Sequence, residues 1–405
     1  MALELRASSP EGAHLVSLVE KVGEEIAARA YEHDRDASYP FESVEALRRE
    51  RYFAAPIPSD HGGLGVEGVH DVVVAASRLA RFDASVAIGV NMHFAAVLNI
   101  VRRWRVALGS GNERRAGAFA KSMREIATRD VIMAAAISEP GQDITRPGTT
   151  ATRTESGWIV EGRKVFCTMS PAATTLYTSV RFEGDTGEEL YGYAMIPATT
   201  PGVVVHDDWD ALGMRASGSH SVSLEGVELP ASALRGGFPV GEVVPYMERN
   251  LYAGTLHASA SLGIAEAAHA EALARSRRTN GDAAYCQMLT AANEVDLCAA
   301  RATLSRATRL IDENAAEHPA HMGSDDEIVA LFTEAQTAKA FINEAASRIA
   351  DRALALSGGA GYLNGSLLAR ATRDVRAGAF MHPLGANRAY DLIASVAQGR
   401  APELH

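Results

Sequence analysis

The sequence predicts an α+β chain in three parts: an N-terminal helical domain over residues 1–130, a central antiparallel β-domain over 131–235 and a C-terminal four-helix bundle over 236–405. Three observations carry this. At the start, apolar residues recur at helical spacing, as in "HLVSLVEKVGEEIAARAYEHD", where Leu15, Leu18, Val19 and Val22 share one face. In the middle, segments are short, alternating and β-branched, with Gly and Pro between them. The last part is alanine-rich, in runs long enough for a bundle.

Taken in order, "PFESVEALRRERYF" predicts a second helix with Ser43 at its N-cap. "PIPSDHGGLGVEG" is a glycine-rich loop. The long apolar run "HDVVVAASRLARFDASVAIGVNMHFAAVLNIVRRW" reads as buried helix. Strands follow in "RDVIMAAAIS", "ATTLYTSVRF", "LYGYAMIPA", "GVVVHDDW" and "SHSVSLEGVELP". "GWIVEGRKVFCT" predicts two strands about a tight turn at Glu161 and Gly162. Of the later helices, two are separated by "EHPAHMGSDDE".

The chain has 405 residues, 47% of them hydrophobic, enough for large cores. A net charge of -11 argues against a nucleic-acid backbone as partner, which calls for an excess of Lys and Arg. Cys167, Cys286 and Cys298 form no CxxC pair, so neither a disulfide framework nor a metal site is expected, in keeping with a reducing compartment. The N-terminus carries charges where a signal peptide needs an apolar core, and no window of about 20 residues is free of charge, so no membrane span is expected. The expectation is a cytoplasmic protein.

Two stretches carry candidate chemistry. The strand "EGRKVFCT" delivers Phe166 and Thr168, an aromatic wall and a hydroxyl such as a flat isoalloxazine ring needs, although a strand-end Phe also serves ordinary core packing. "SGGAG" supplies Gly358, Gly359 and Gly361, where backbone can approach a ring or phosphate without a Cβ, or can simply turn out of a helix. Further on, "RAGAFMHPLGANRAY" sets His382 in a polar break, and Pro383 biases it away from helical backbone.

"SEPG", "EGRKVFCT", "LGMRASGSHSVSLEGVELP" and "SGGAGYLNGSLLARATRDVRAG", in this order, make nearly the whole chain resemble the acyl-CoA dehydrogenase superfamily. The resemblance implies a homotetramer with FAD between the β-domain and the bundle. It puts Phe166 where the family's Trp shields the flavin, Thr168 near flavin N5, and Ser138 near the pyrimidine edge. It assigns Arg277, Gly358, Gly359 and Gly361 to the FAD of a neighbouring subunit. Two departures bear on the dinucleotide half of FAD. "SEPGQD" lacks the family's Ser after the glycine, and Asn280 replaces the Phe of Arg-x-x-Phe-Gly.

Dehydrogenation of an acyl thioester needs a carboxylate base at the α-carbon. His382 stands where most members of the family hold that Glu. Some members carry the base on an earlier helix in a Glu-Arg pair, and "YMERNLYAGTLHASASLG" contains Glu248-Arg249. The first expectation is therefore FAD-dependent α,β-dehydrogenation of an acyl thioester, on CoA or an acyl-carrier protein, with Glu248 as base, Arg249 beside the substrate and an electron-transfer flavoprotein as oxidant. The alternative is a reduced-flavin monooxygenase of the same fold acting on an aromatic, sulfur or amine substrate. There a neutral His382 would donate and accept hydrogen bonds, and His93 in "NMHFAA" would line the pocket, although a lone His on an apolar helix is usually a satisfied core residue. Arg373 and Asp374 are expected to pair with each other.

Overall fold

A computed structural model describes residues 4–129, 131–141, 143–234, 237–278 and 281–404. The N-terminal helices are α1 (Pro10–Asp36), α2 (Phe41–Arg49), α3 (Val69–Phe82), α4 (Ala84–Gly109) and α5 (Glu113–Thr128). Ser9 caps α1 by accepting from the Gly12 N–H, and Leu15, Val19 and Val22 point into the core. Ser43 is not a cap. The chain enters α2 directly after Pro40, which leaves Ser43 inside the helix and buried. The cap of α4 is Asp83, which accepts from the Ser85 and Val86 N–H groups. By length and composition α4 could cross a membrane, contrary to the expectation from charge spacing. However, 89% of its apolar window is buried inside the protein, so its hydrophobicity belongs to the core.

The strands are β1 (Met133–Ala136), β2 (Thr150–Arg153), β3 (Gly157–Cys167), β4 (Thr175–Glu183), β5 (Glu189–Pro197), β6 (Val203–Val205), β7 (His220–Pro230) and β8 (Phe238–Pro239). They form one sheet in the order β6-β7-β3-β2-β4-β5-β8, with β1 also on β4. The sheet is mixed rather than antiparallel, because β1 and β2 both lie parallel to β4. Both reach β4 by way of β3, a crossover too long for a hairpin. The expected turn at Gly162 is likewise not a turn. β3 runs straight through it, and its register against β7 shifts between Val160 and Gly162. That irregularity needs glycine, since a Cβ there would lie 2.4 Å from Thr149 Oγ1.

The C-terminal part comprises α6 (Val244–Arg249), α7 (Leu251–Ser276), α8 (Ala284–Glu317), α9 (Asp325–Ser357), α10 (Leu367–Asp374) and α11 (Ala386–Ala397). The long helices α7, α8 and α9 form the bundle, with α3 against α7 and α11 against α9. Ser324 and Glu327 close α9 with a reciprocal capping box. α7 and α9 run parallel, since Gly254 faces Gln336 and, seven residues further on each helix, Ser261 bonds Asn343. One hydrophobic core joins the N-terminal helices to the bundle, and the sheet has a second core. Met169 and Met214 lie in the β region yet pack into the helical core, which pins the end of β3 to the helices.

Candidate functional site

The end of β3 is fixed by a buried ion pair. Lys164 is fully buried, and its ammonium donates to Glu139 Oε1 at 2.6 Å, the Ser179 carbonyl at 2.7 Å and Ser179 Oγ at 3.1 Å. Glu139, from "SEPG", also accepts from the Thr149 N–H and hydroxyl. Burial pushes the Glu139 carboxyl up, but the Lys164 charge and the Thr149 bonds outweigh it and hold the group below the usual range. The same brace aligns Ser138, whose carbonyl accepts from the Val165 N–H at 2.9 Å.

Beyond this brace the backbone is strained. Among the described residues five non-glycines have positive φ, and three of them meet here: Phe166 (56°), Met169 (68°) and Met214 (52°). The Met169 N–H donates to the Ser217 carbonyl, and the Ser217 N–H to that of Met214, so the three belong to one interlocked turn. Such conformations cost ~1–3 kcal/mol each and persist where surrounding structure imposes them. The result is an apolar ring turned outward: Phe166 is 62% exposed, with the Trp209 ring edge-on at 6.0 Å. Beside it the Thr168 hydroxyl bonds Ser219 Oγ at 2.9 Å, which bonds Ser217 Oγ at 2.7 Å. An outward apolar ring flanked by a hydroxyl relay fits a flat heteroaromatic cofactor such as a flavin.

The helices meet this strand end from the other side. Gly89 of α4 packs against Met169, and a Cβ there would lie 3.2 Å from the Met169 Cβ. Two residues on, Asn91 donates to the Leu256 carbonyl of α7. At the start of α7, Asn250 faces His382, with its Oδ1 2.7 Å from His382 Nε2. The Asn250 amide donates its own N–H to the Tyr246 carbonyl, so Oδ1 must be the acceptor toward His382. The His382 proton therefore sits on Nε2 and the lone pair on Nδ1. Burial, and then the nearby Lys339 charge, push His382 down to about 3, so the ring is neutral at any working pH. Close by, Gln336 is fully buried, and neither of its amide atoms has a protein partner.

The other expected residues are placed as follows. His93 does not line a pocket: it is fully buried, its Nε2 bonds the Phe53 carbonyl at 2.9 Å and its Nδ1 accepts from the Met133 N–H. Glu248 lies in α6 with its carboxylate bonded to Arg103 of α4, and only 20% of its side chain is exposed. Arg249 is taken up by aromatic rings, those of Tyr193 and Phe238, and by the Tyr177 hydroxyl. Arg277 and the Gly358 loop follow the C-terminal ends of the parallel helices α7 and α9, and Arg277 lies about 40 Å along α7 from Asn250. Gly358 has φ 64 and open space around it, whereas Gly361 packs on its own Ser357. Asn280 lies outside the described residues. Arg373 pairs with Asp34 of α1 rather than with Asp374, whose carboxylate accepts from the Met214 N–H.

The acyl-CoA dehydrogenase N-terminal, middle and C-terminal domains match residues 13–104, 134–227 and 255–383. The chain belongs to the acyl-CoA dehydrogenase superfamily. Amino sugar nitrososynthase DnmZ from Streptomyces peucetius is 32% identical over 398 residues, covering 97% of this chain and 95% of the relative. A structure of KijD3 with FMN and dTDP-3-amino-2,3,6-trideoxy-4-keto-3-methyl-D-glucose superposes with a TM-score of 0.90 at 30% identity, over 98% of this chain and 96% of that one. The putative acyl-CoA dehydrogenase YdbM from Bacillus subtilis is 30% identical over 388 residues, covering 90% of this chain and 93% of the relative. This acyl-CoA dehydrogenase superfamily member is therefore a flavin-dependent oxidoreductase.

Proposed function

We propose that the protein is a reduced-flavin-dependent oxygenase that oxidises the amine of an amino sugar carried on a nucleotide, with FMN as its flavin. The observation that carries this reading is the neutral imidazole of His382, with its lone pair on Nδ1, where a dehydrogenase needs a carboxylate. The substitute base, Glu248, is engaged by Arg103 instead. Amino sugar chemistry is drawn from the nitrososynthase and KijD3 relatives. FMN in place of FAD is supported by the KijD3 complex and by the missing serine in "SEPGQD".

Bound reduced flavin supplies the chemistry of transferring one atom of O2. The balance is RNH2 + O2 + reduced flavin giving RNHOH, water and oxidised flavin. A second round gives RN=O and two waters. Phe166 and Thr168 would hold the ring and Ser138 its polar edge. A neutral amine that donates an N–H to His382 Nδ1 keeps its own lone pair free to take the oxygen. Burial around His382, and the Lys339 charge beside it, favour the neutral amine over the ammonium. Arg277 and the Gly358 loop, at the far end of the bundle, would serve the flavin of a second copy.

Purified protein given reduced FMN, air and a dTDP-linked amino sugar should yield the hydroxylamine and nitroso products by mass spectrometry, and flavin extracted from it should be FMN. An unchanged amino sugar, with acyl-CoA bleaching the bound flavin anaerobically, would return the assignment to dehydrogenation.

A further inference from the structure

Lys339 of α9 is buried to 2% exposure in the middle of the bundle. Its ammonium donates to three carbonyls of one loop: those of Met381, of His382 at 3.2 Å and of Leu384 at 2.7 Å. Among the described residues no carboxylate lies within ion-pair distance of it. The charged side chains of the adjoining cleft are matched elsewhere, Arg376 with Asp351, Arg348 with Asp296, and Glu344 with the Tyr390 hydroxyl and Arg348. The titratable groups facing it from the other elements are His257 on α7 and His382 itself, with Tyr246 of α6 packed on the His382 ring. The Tyr246 hydroxyl donates to the Pro383 carbonyl at 2.9 Å, and Asn343, one turn along α9, donates to the Gly378 carbonyl at 2.8 Å. A buried lysine with no counter-ion is costly to fold around. Here its three N–H groups meet three backbone acceptors of the segment that carries His382.

We propose that Lys339 is a positioning residue whose ammonium clamps the Met381–Leu384 loop and thereby sets where the His382 imidazole stands. Three converging carbonyls require three donors. An ammonium has three N–H groups and a neutral amine only two, so deprotonation would turn a lone pair toward a carbonyl. Burial acts against the clamp and pushes Lys339 down to about 7. The clamp is therefore complete below neutrality and is lost as pH rises through 7. For folding the same shift has the opposite sign: the unfolded chain binds this proton up to the ordinary lysine value, so the cost of burying the charge is full below 7 and relieved above it. Within the proposed function, Lys339 acts only through His382.

The test is nitrogen-15 NMR of histidine-labelled protein without flavin or substrate, so that failure of the amine-oxygenase reading would leave it unaffected. The His382 resonances are assigned by their loss in His382→Gln. In wild type at pH 6 they should show the Nε2–H tautomer, and from pH 6 to 9 they should shift with a midpoint near 7 while the ring stays neutral. In Lys339→Met that shift should vanish, and the resonances at pH 6 should already be displaced from those of wild type, because the loop no longer holds the ring against Asn250. His382 resonances in folded Lys339→Met that superimpose on wild type at pH 6 would overturn the proposal. Should Lys339→Met not fold, wild-type resonances that stay fixed from pH 6 to 9 would overturn it equally.

Discussion

Glu139→Gln should destabilise the protein by about 3–5 kcal/mol, the scale for breaking a buried ion pair and leaving its partner's charge uncompensated. The partner is Lys164, fully buried, left with Ser179 and at best a neutral amide to accept from it and no counter-charge. Equilibrium urea unfolding of the single variants and of Glu139→Leu/Lys164→Met separates the pair from its parts. The double variant should recover much of the loss, because it removes both charges together. Flavin affinity of Glu139→Gln should fall as well, since the same brace sets Ser138 and the strand end carrying Phe166 and Thr168. A loss below about 1 kcal/mol would mean that the pair does not hold the strand end.

The second large effect separates the two chemistries. His382→Leu should lower kcat/KM for the amino sugar by about 10²–10³, the scale for removing one preorganised polar contact to the reacting group. Glu248→Gln should change it little, because that carboxylate answers Arg103 on the α4 side. The wild-type pH profile should show no inflection from His382 itself, which is held down to about 3; any change near 7 should come from the Lys339 clamp and be absent in Lys339→Met. A dehydrogenase would invert the pattern, with Glu248→Gln inactive and His382→Leu nearly unaffected.

Much of this was legible in the sequence, and what was not has a common cause. Periodicity gave the helical–β–helical order, and "SEPG" with "EGRKVFCT" marked the strand end that turns Phe166 and Thr168 outward. Both halves of the Glu139–Lys164 brace lie in those motifs, but nothing local says that residues 25 apart share a bond. The same holds for Glu248. Read as a dipeptide with Arg249 it suggests a base, but its partner is Arg103, 145 positions away. His93 on an apolar helix is usually core, and the Phe53 and Met133 backbones that close on it make it so here. Gly162 looked like a turn because a Glu-Gly step serves a hairpin and a bulge alike. Lys339 gave no signal at all. Lysines sit on most helices, and only the folded bundle brings three carbonyls to this one.

The central claim is that this site moves oxygen from O2 to nitrogen rather than hydride from carbon to flavin. Turnover of a dTDP-linked amino sugar with reduced FMN under oxygen-18 gas, followed by mass spectrometry, tests it most directly. The account predicts a hydroxylamine and a nitroso product whose added oxygen carries the heavy isotope. Unlabelled products, or no nitrogen oxidation together with bleaching of the flavin by acyl-CoA in the absence of oxygen, would contradict it.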